Sequence, residues 1–141
     1  MTSNSQGGYV VSGETEQQPA YRSVNQVTSS GNYWLTSTSN PGWFKIDLGE
    51  ARWVYGASFT WTGGAHSSGM FDEFDFQADD TDGAWGSDTT IKSFADAGPY
   101  STSTRNEFLL DAPIFKRWLR LNATSAGTAA GRTVGQLEVL A

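Results

Sequence analysis

The clearest β-strand in the sequence is the stretch Gly42-Trp43-Phe44-Lys45-Ile46-Asp47-Leu48-Gly49. Phe44, Ile46 and Leu48 alternate with Lys45 and Asp47, and this period of two places three large apolar side chains on one face and two charges on the other. A slip of one residue in strand pairing would turn the apolar side chains to solvent, so the alternation also specifies the register. Gly49 is expected to end the strand.

The sequence on both sides of this strand predicts further strands and no competing helix. These strands are expected at residues 9–11, 53–61, 74–78, 91–94, 108–110, 115–121 and 134–140. In the strand 53–61, one face should be buried, and it carries Trp53, Tyr55, Ala57, Phe59 and Trp61. About eight short strands, separated by turn signals such as Asp82-Gly83, indicate an all-β sandwich of two packed antiparallel sheets.

Length and composition fit one domain. The 141 residues contain no Cys and 16 Gly, and only 17% of them are charged. A chain of this length can bury a core without disulfides, and abundant glycine is typical of an all-β domain with many turns. We therefore expect a single sandwich domain over residues 9–141, preceded by a flexible or docking arm over residues 1–8.

The charge of the chain excludes some classes of partner. The formal net charge is −6 with 9 basic residues, whereas nucleic acids and anionic membrane surfaces are bound through clustered Lys and Arg. Membrane insertion is not expected, because no apolar run approaches the ~20 residues of a transmembrane span. Residues 1–8 show neither a basic nor an apolar segment, so no signal peptide is expected. An extracellular location reached by another route, or a virion surface, is compatible with this pattern.

Four motifs occur in an order that resembles the discoidin, or coagulation factor 5/8 type C, superfamily, which includes the family 32 carbohydrate-binding modules. The segment 43–49 looks like the family's tryptophan-to-DLG strand, and Asp79–Trp85 looks like its turn. Arg117-Trp118-Leu119-Arg120-Leu121 resembles the family's RYVRL strand, and Gln136–Leu140 resembles its terminal strand. The resemblance covers about residues 8–141.

The resemblance implies a jelly-roll β-sandwich that binds ligands, usually sugars, through loops at one end. Sugar recognition needs flat aromatic faces and polar groups that reach hydroxyls, and the predicted loops contain both. The candidate ligand-binding residues are Tyr33, Trp61, His66, Tyr100, Arg105 and Asn106. Each has a structural alternative: Trp61 fits a core position equally well, and Arg105 and Asn106 could pair with nearby acids. Trp34, Trp43, Trp53 and Trp118 are expected in the core.

The family often holds a structural calcium ion, and the resemblance implies that this site is weak or empty here. Asn25 and Gln136 stand at the two positions where the family has acidic ligands. Calcium affinity depends on the number of anionic oxygens, and both positions carry neutral amides. No other cofactor or metal is expected.

The sequence favours binding over catalysis. It has no Cys, no HExxH and no Gly-x-Ser-x-Gly motif, which argues against the corresponding enzyme classes. Two functions stay open. One is a non-catalytic carbohydrate-binding module or lectin-like adhesin whose partners are glycans. The other is a structural or assembly protein, such as a virion decoration or tail component, whose partners are other protein subunits.

Overall fold

The structure, a computed structural model, describes residues 5–6, 9–13, 16–18, 34–36, 42–60, 73–95, 105–124, 133–134 and 136–141. Side chains are described for residues 42–60, 73–95, 105–124 and 137–141. The described strands are β1 Ser5–Gln6, β2 Tyr9–Gly13, β3 Glu16–Gln18, β4 Trp34–Thr36, β5 Trp43–Thr60, β6 Phe74–Asp79, β7 Thr90–Phe94, β8 Arg105–Ala123, β9 Thr133–Val134 and β10 Gln136–Leu140. Every pairing among them is antiparallel, which confirms the predicted all-β class.

The described strands form two hydrogen-bonded sheets. The larger sheet has the order β1-β2-β5-β8-β6-β7, with β10 also paired to β5, and the smaller has the order β3-β4-β9. Within the predicted arm, Ser5 pairs with Val10 and Gln6 with Tyr9. The division of the chain at residue 8 stays a prediction.

Two long strands, β5 and β8, form the centre of the larger sheet, where the sequence predicts four shorter ones. Gly49, expected to end its strand, has φ +80° and lies inside β5. The pairing of β5 with β8 shifts register twice, between Asp47 and Arg52 and between Val54 and Gly56. Both long strands therefore continue through irregular positions, which local turn signals in the sequence do not distinguish from strand ends.

The alternation in residues 43–48 forms the core as predicted. Phe44, Ile46 and Leu48 are each at most 1% exposed, and Phe44 and Ile46 lie opposite Leu121 and Leu119 of β8. The buried apolar core of the described residues comprises Phe44, Ile46, Leu48, Val54, Ala57, Phe59, Phe74, Phe76, Ala78, Phe108, Leu119, Leu121, Ala123 and Leu137.

Aromatic contacts show that the long β5–β8 strand pair folds over its own core. Phe59 of β5 and Phe108 of β8 lie with their ring centroids 5.8 and 5.2 Å from that of Phe74 in β6. Phe59 and Phe74 share no strand pairing, so their contact joins two layers across the core, as in a sandwich. Phe94 of β7 completes the cluster, with its ring centroid 5.4 Å from that of Phe108.

The second register shift corrects the predicted burial of strand 53–61. Ala57 and Phe59 are buried as expected, but Trp53 is 55% and Tyr55 52% exposed. The buried residues Val54 and Ala57 are three positions apart, so the inward face changes phase at Gly56. A Cβ at Gly56 would lie 2.1 Å from the carbonyl oxygen of Phe108, so this irregularity requires glycine.

The first register shift is held by an ion pair. Both nitrogens Nε and Nη2 of Arg117 donate to the carboxylate of Asp47, at 2.7 and 2.9 Å, and the amide of Gly49 donates to the same carboxylate at 2.9 Å. Asp47 is only 8% exposed. The hydrogen bonds from Arg117 lower the pKa of Asp47 below its ordinary value, although burial opposes them.

None of the described residues belongs to a helix long and apolar enough to cross a membrane.

The core assignment predicts that Ile46→Asp unfolds the domain. A carboxylate in a fully buried position without a partner should lower the free energy of unfolding by about 4 kcal/mol or more. Ile91→Asp is the matched control, because Ile91 is 39% exposed and should lose only about 1 kcal/mol. Urea denaturation followed by circular dichroism measures both. An unchanged midpoint for Ile46→Asp would show that the strand is assigned to the wrong face.

The Asp47–Arg117 pair predicts acid sensitivity. Because the folded state lowers the pKa of Asp47 from 3.8, the stabilisation is present above pH 3.8 and is lost as the pH falls further. Asp47→Asn should lower the free energy of unfolding at pH 7 by about 1.5–3 kcal/mol, the range for hydrogen bonds to charged groups. It should also flatten the loss of stability in acid. Asp88→Asn, at an exposed position, should keep the wild-type pH profile; equal profiles for all three proteins would contradict the assignment.

Candidate functional site

The described strands bring three segment ends together at one end of the sandwich. Thr60, the last residue of β5, pairs with Arg105 at the start of β8 and with Gln136 at the start of β10. The segment 61–72 therefore begins at this end, directly after Thr60, and the segment 96–104 finishes at it, directly before Arg105. The two predicted binding loops, around Trp61–His66 and Tyr100, belong to these two segments.

Arg105 is fixed in place at this end by two carboxylates and a hydroxyl. Its Nη1 lies 2.5 Å from Oε1 of Glu107, and its Nη2 lies 3.1 Å from Oε2 of Glu138. Its Nε donates to Oγ of Ser58 at 3.1 Å. The side chain of Arg105 nevertheless keeps 46% of its surface exposed, so a positioned guanidinium between two carboxylates faces solvent.

Asn106 lies beside Arg105 in sequence but on the other side of the strand. Its Nδ2 donates to the carbonyl oxygen of Phe59 at 3.4 Å, and the side chain is half-buried. Consecutive strand residues point to opposite faces, so Arg105 and Asn106 do not line one surface. Arg105 does pair with nearby acids, which is the structural alternative named for it. A role in ligand binding stays a prediction for both residues.

Sequence reasoning did not identify Glu107 and Glu138 as members of this cluster. Glu107 is two residues from Arg105 and therefore shares its face of β8, a signal that the alternation of the strand could have provided. Glu138 comes from β10, where it pairs with Ser58 of β5. Only the strand order places it near Arg105.

The other predicted positions lie outside the described part of the chain. Tyr33, Trp61, His66 and Tyr100 are among them, as is Asn25 of the implied calcium site. Gln136 is described in its backbone alone. Across the described side chains, no group of three or more His, Cys, Asp or Glu residues is placed to hold a metal ion.

A second polar cluster lies on the outer face of the sheet, and we call it the tryptophan–cation cluster. Aromatic and cationic side chains alternate through it: Lys45 lies 5.5 and 5.4 Å from the ring centroids of Trp43 and Trp118, and Arg120 lies 5.4 and 5.8 Å from those of Trp43 and Trp85. A cavity of about 270 Å³ opens here, and its lining is Trp43, Lys45, Asp82, Gly83, Trp85 and Arg120.

The side chains of this cluster bind one another, which indicates a structural role. Asp82 accepts from Nζ of Lys45 at 2.5 Å and from Nε1 of Trp85 at 3.2 Å. The hydrogen bond from Lys45 lowers the pKa of Asp82 below its ordinary value, and the hydrogen bond from Trp85 acts in the same direction, although burial opposes both. These bonds and cation–π contacts attach the turn 79–85 to strands β5 and β8.

Trp43 and Trp118 belong to this outer cluster and not to the core, where the sequence placed them. Both are half-buried, and each packs against Lys45. Trp43 alternates with Phe44 along β5, and Trp118 with Leu119 along β8, so both indoles point away from the core. Large apolar side chains usually lie in the core, but here Lys45 and Arg120 pack on the ring of Trp43, and Lys45 and Arg117 pack on that of Trp118.

Three comparisons relate the chain to known proteins. The family model of the F5/8 type C domain matches residues 1–135. No curated protein matches the sequence. Among solved structures, a family 32 module of Clostridium perfringens in complex with GalNAc-β-1,3-galactose has a TM-score of 0.79 at 12% identity, covering 96% of this chain and 97% of that one.

Two further structures show the same fold. The family 32 module of C. perfringens NanJ in complex with galactose has a TM-score of 0.72 at 19% identity, covering 95% of this chain and 94% of that one. Chitosan-binding module 1 from a chitosanase/glucanase of Paenibacillus sp. has a TM-score of 0.72 at 16% identity, covering 95% and 96%. The family resemblance read from the sequence is confirmed.

Proposed function

Because the chain belongs to the F5/8 type C domain family, we propose that it is a non-catalytic glycan-binding module whose site lies at the end of the sandwich marked by Arg105. The proposal rests on one observation, the strand pairing that places Thr60 opposite both Arg105 and Gln136. Loops at the end of a rigid sheet commonly carry binding residues. Similar structures are described as bound to galactose or GalNAc-β-1,3-galactose, or as chitosan-binding.

The chemistry at this end suits sugar hydroxyls. The guanidinium of Arg105 supplies donors in a fork, and the carboxylates of Glu107 and Glu138 supply acceptors beside it. The core next to this end contains a cluster of packed aromatic rings, which supports the strand ends. The cluster consists of Phe59, Phe74, Phe94 and Phe108. Rigid support keeps the entropic cost of binding low.

In this proposal, aromatic residues of the adjoining loops provide the stacking surface. Trp61 follows Thr60 directly, His66 lies in the same segment as Trp61, and Tyr100 lies in the segment that precedes Arg105. Tyr33 and Asn106 complete the proposed ligand-binding set, although Asn106 faces the other side of β8 from Arg105. A single site of this kind binds weakly, and display of several copies would raise the avidity.

The proposed setting is one where glycans are displayed, outside the cell or at a virion surface. Docking on other protein chains, the alternative that the sequence leaves open, is favoured by one observation. Trp53, Tyr55 and Phe115 are each more than half exposed, and exposed aromatic groups of this kind mark interaction surfaces.

Binding at this end predicts a specific loss with Arg105→Gln. We expect at least about a tenfold weaker affinity for the glycans that the wild type binds, equivalent to ~1.4 kcal/mol, because the forked donor is lost. Arg52→Gln is the matched control: Arg52 is a half-exposed arginine on the other long strand, β5, and it lies away from the Thr60 end. Glycan arrays identify the ligands, and calorimetry with a positive glycan measures the affinities. A folded wild type without any glycan ligand would contradict the proposed function, and equal binding by both variants would contradict the proposed site.

The calcium prediction also has a direct test. With amides at Asn25 and Gln136, we expect calcium at about 1 mM to leave the melting temperature unchanged, within about 1 °C, since few anionic oxygens are available. Differential scanning fluorimetry with calcium and with EDTA measures this. Asn25→Asp combined with Gln136→Glu should introduce calcium-dependent stabilisation. A clear stabilisation of the wild type by calcium would show that the site is intact.

A further inference from the structure

One row of polar residues runs across three neighbouring strands at the Arg105 end of the sandwich. Ser58 of β5 pairs with Glu138 of β10 on one side and with Glu107 of β8 on the other. Directly paired strand residues share a face of the sheet, and Arg105, two residues before Glu107, shares that face too. The four side chains therefore lie together on one surface, with a glutamate on each side of Ser58.

The side chain of Arg105 lies across the middle of this row. Its Nε donates to Oγ of Ser58 at 3.1 Å, its Nη1 lies 2.5 Å from Oε1 of Glu107, and its Nη2 lies 3.1 Å from Oε2 of Glu138. Ser58 is only 1% exposed, as expected for a residue beneath a side chain that crosses it. All three guanidinium nitrogens thus face oxygen atoms of this chain.

These internal contacts decide which ligand groups Arg105 can bind. A guanidinium binds a carboxylate best through two parallel N–H donors from two of its nitrogens. In Arg105 each nitrogen already faces an internal oxygen, so a ligand carboxylate would have to displace Ser58 or a glutamate. A guanidinium has five N–H donors, and those not directed at these oxygens suit single hydroxyl groups. Arg105 is therefore arranged to donate to hydroxyls and not to receive an anion.

The two glutamates add acceptors and negative charge to the same surface. Among the described residues, no hydrogen bond reaches Oε2 of Glu107 or Oε1 of Glu138, and the two side chains are 46% and 57% exposed. Both oxygens can accept from sugar hydroxyls. Two carboxylates and one guanidinium give this surface one excess negative charge, and the whole chain has a formal net charge of −6. An anionic ligand is repelled both in contact and at a distance.

We propose that Glu107 and Glu138 make the glycan end selective by charge: it binds neutral glycans and rejects glycans that carry a carboxylate beside the hydroxyls it contacts. This inference rests on the proposed function, because it names the ligand class of that same site. The glutamates act in two ways. They occupy the donors of Arg105 that a carboxylate needs, and they repel its charge, so the selectivity comes from an unfavourable contact with the wrong ligand.

An array that pairs each neutral glycan with an acidic counterpart tests this selectivity. The members of a pair differ only in the terminal sugar, which is a hexose in one and the corresponding uronic acid in the other. We expect the wild type to bind neutral members and to bind their acidic counterparts at least about tenfold more weakly, because like charges meet. Acidic members bound as tightly as neutral ones would overturn the inference and leave the proposed function intact. A folded wild type that binds no glycan would instead contradict the proposed function.

Substitution of the two glutamates tests whether they cause the selectivity. In Glu107→Gln/Glu138→Gln each side chain keeps an acceptor oxygen but loses its charge, and Arg105 loses its two carboxylate partners. For one glycan pair, the ratio of neutral to acidic affinity should therefore fall at least about tenfold. Calorimetry measures both affinities, and a thermal melt confirms that the variant is folded. An unchanged ratio would overturn the assignment to these residues.

A charge-matched variant separates this local effect from the net charge of the chain. Glu50→Gln/Asp111→Asn removes two acids at exposed positions of β5 and β8, at least about 20 Å along the strands from the Arg105 end. It should keep the wild-type ratio. Raising the salt concentration from about 0.05 to about 0.5 M should lower the ratio of the wild type and change that of Glu107→Gln/Glu138→Gln much less. A control variant that loses selectivity as fully would overturn the proposal.

Discussion

The antiparallel pairing of β5 with β8 is the constraint on which the rest of the structure depends. Both strands are unusually long, at 18 and 19 residues, and they remain paired through two changes of register. Such irregularities let a strand bend, and they change which side chains face the core, without ending the strand. This one strand pair therefore supplies residues to both layers of the core, and its Phe59 and Phe108 rings contact the Phe74 ring of β6.

The same strand pair separates three surfaces with different chemistry. At its Thr60–Arg105 end, Arg105 lies between Glu107 and Glu138, beside the segments proposed to bind glycans. Its outer face carries the tryptophan–cation cluster, in which Lys45 contacts two indoles and Asp82 accepts hydrogen bonds from Lys45 and Trp85. Its middle exposes the aromatic side chains of Trp53, Tyr55 and Phe115. In a family whose shared fold does not fix the ligand, such separation lets the loops change without affecting the core.

The sequence predicted the parts of the fold that depend on local alternation. Phe44, Ile46 and Leu48 were identified as buried because their period of two is uninterrupted. Trp53 and Tyr55 were misplaced because the phase change at Gly56 results from its approach to Phe108, a contact between residues distant in sequence. Trp43 and Trp118 were predicted in the core, but they lie on the outer face, where cationic side chains pack on them. Hydrophobicity alone does not reveal that Lys45 lies between them.

The candidate site was predicted only in part, for a similar reason. Arg105 was selected from its place in a polar segment, and the structure positions it at the end where the proposed loops attach. Glu107 and Glu138 were missed, because Glu138 reaches Arg105 only through the pairing of β10 with β5. Composition can identify aromatic loops, but the grouping of acids around a guanidinium depends on strand order.

The most direct test of the proposed arrangement is a two-dimensional amide NMR titration with a glycan that the protein binds. The arrangement predicts that chemical shifts change at Thr60, Arg105, Glu107 and Glu138 and in the adjoining loops, while Trp53 and Phe115 stay unperturbed at fixed protein concentration. Changes centred on Trp53 and Phe115, or on Trp43 and Trp85, without any at the Arg105 end would contradict it.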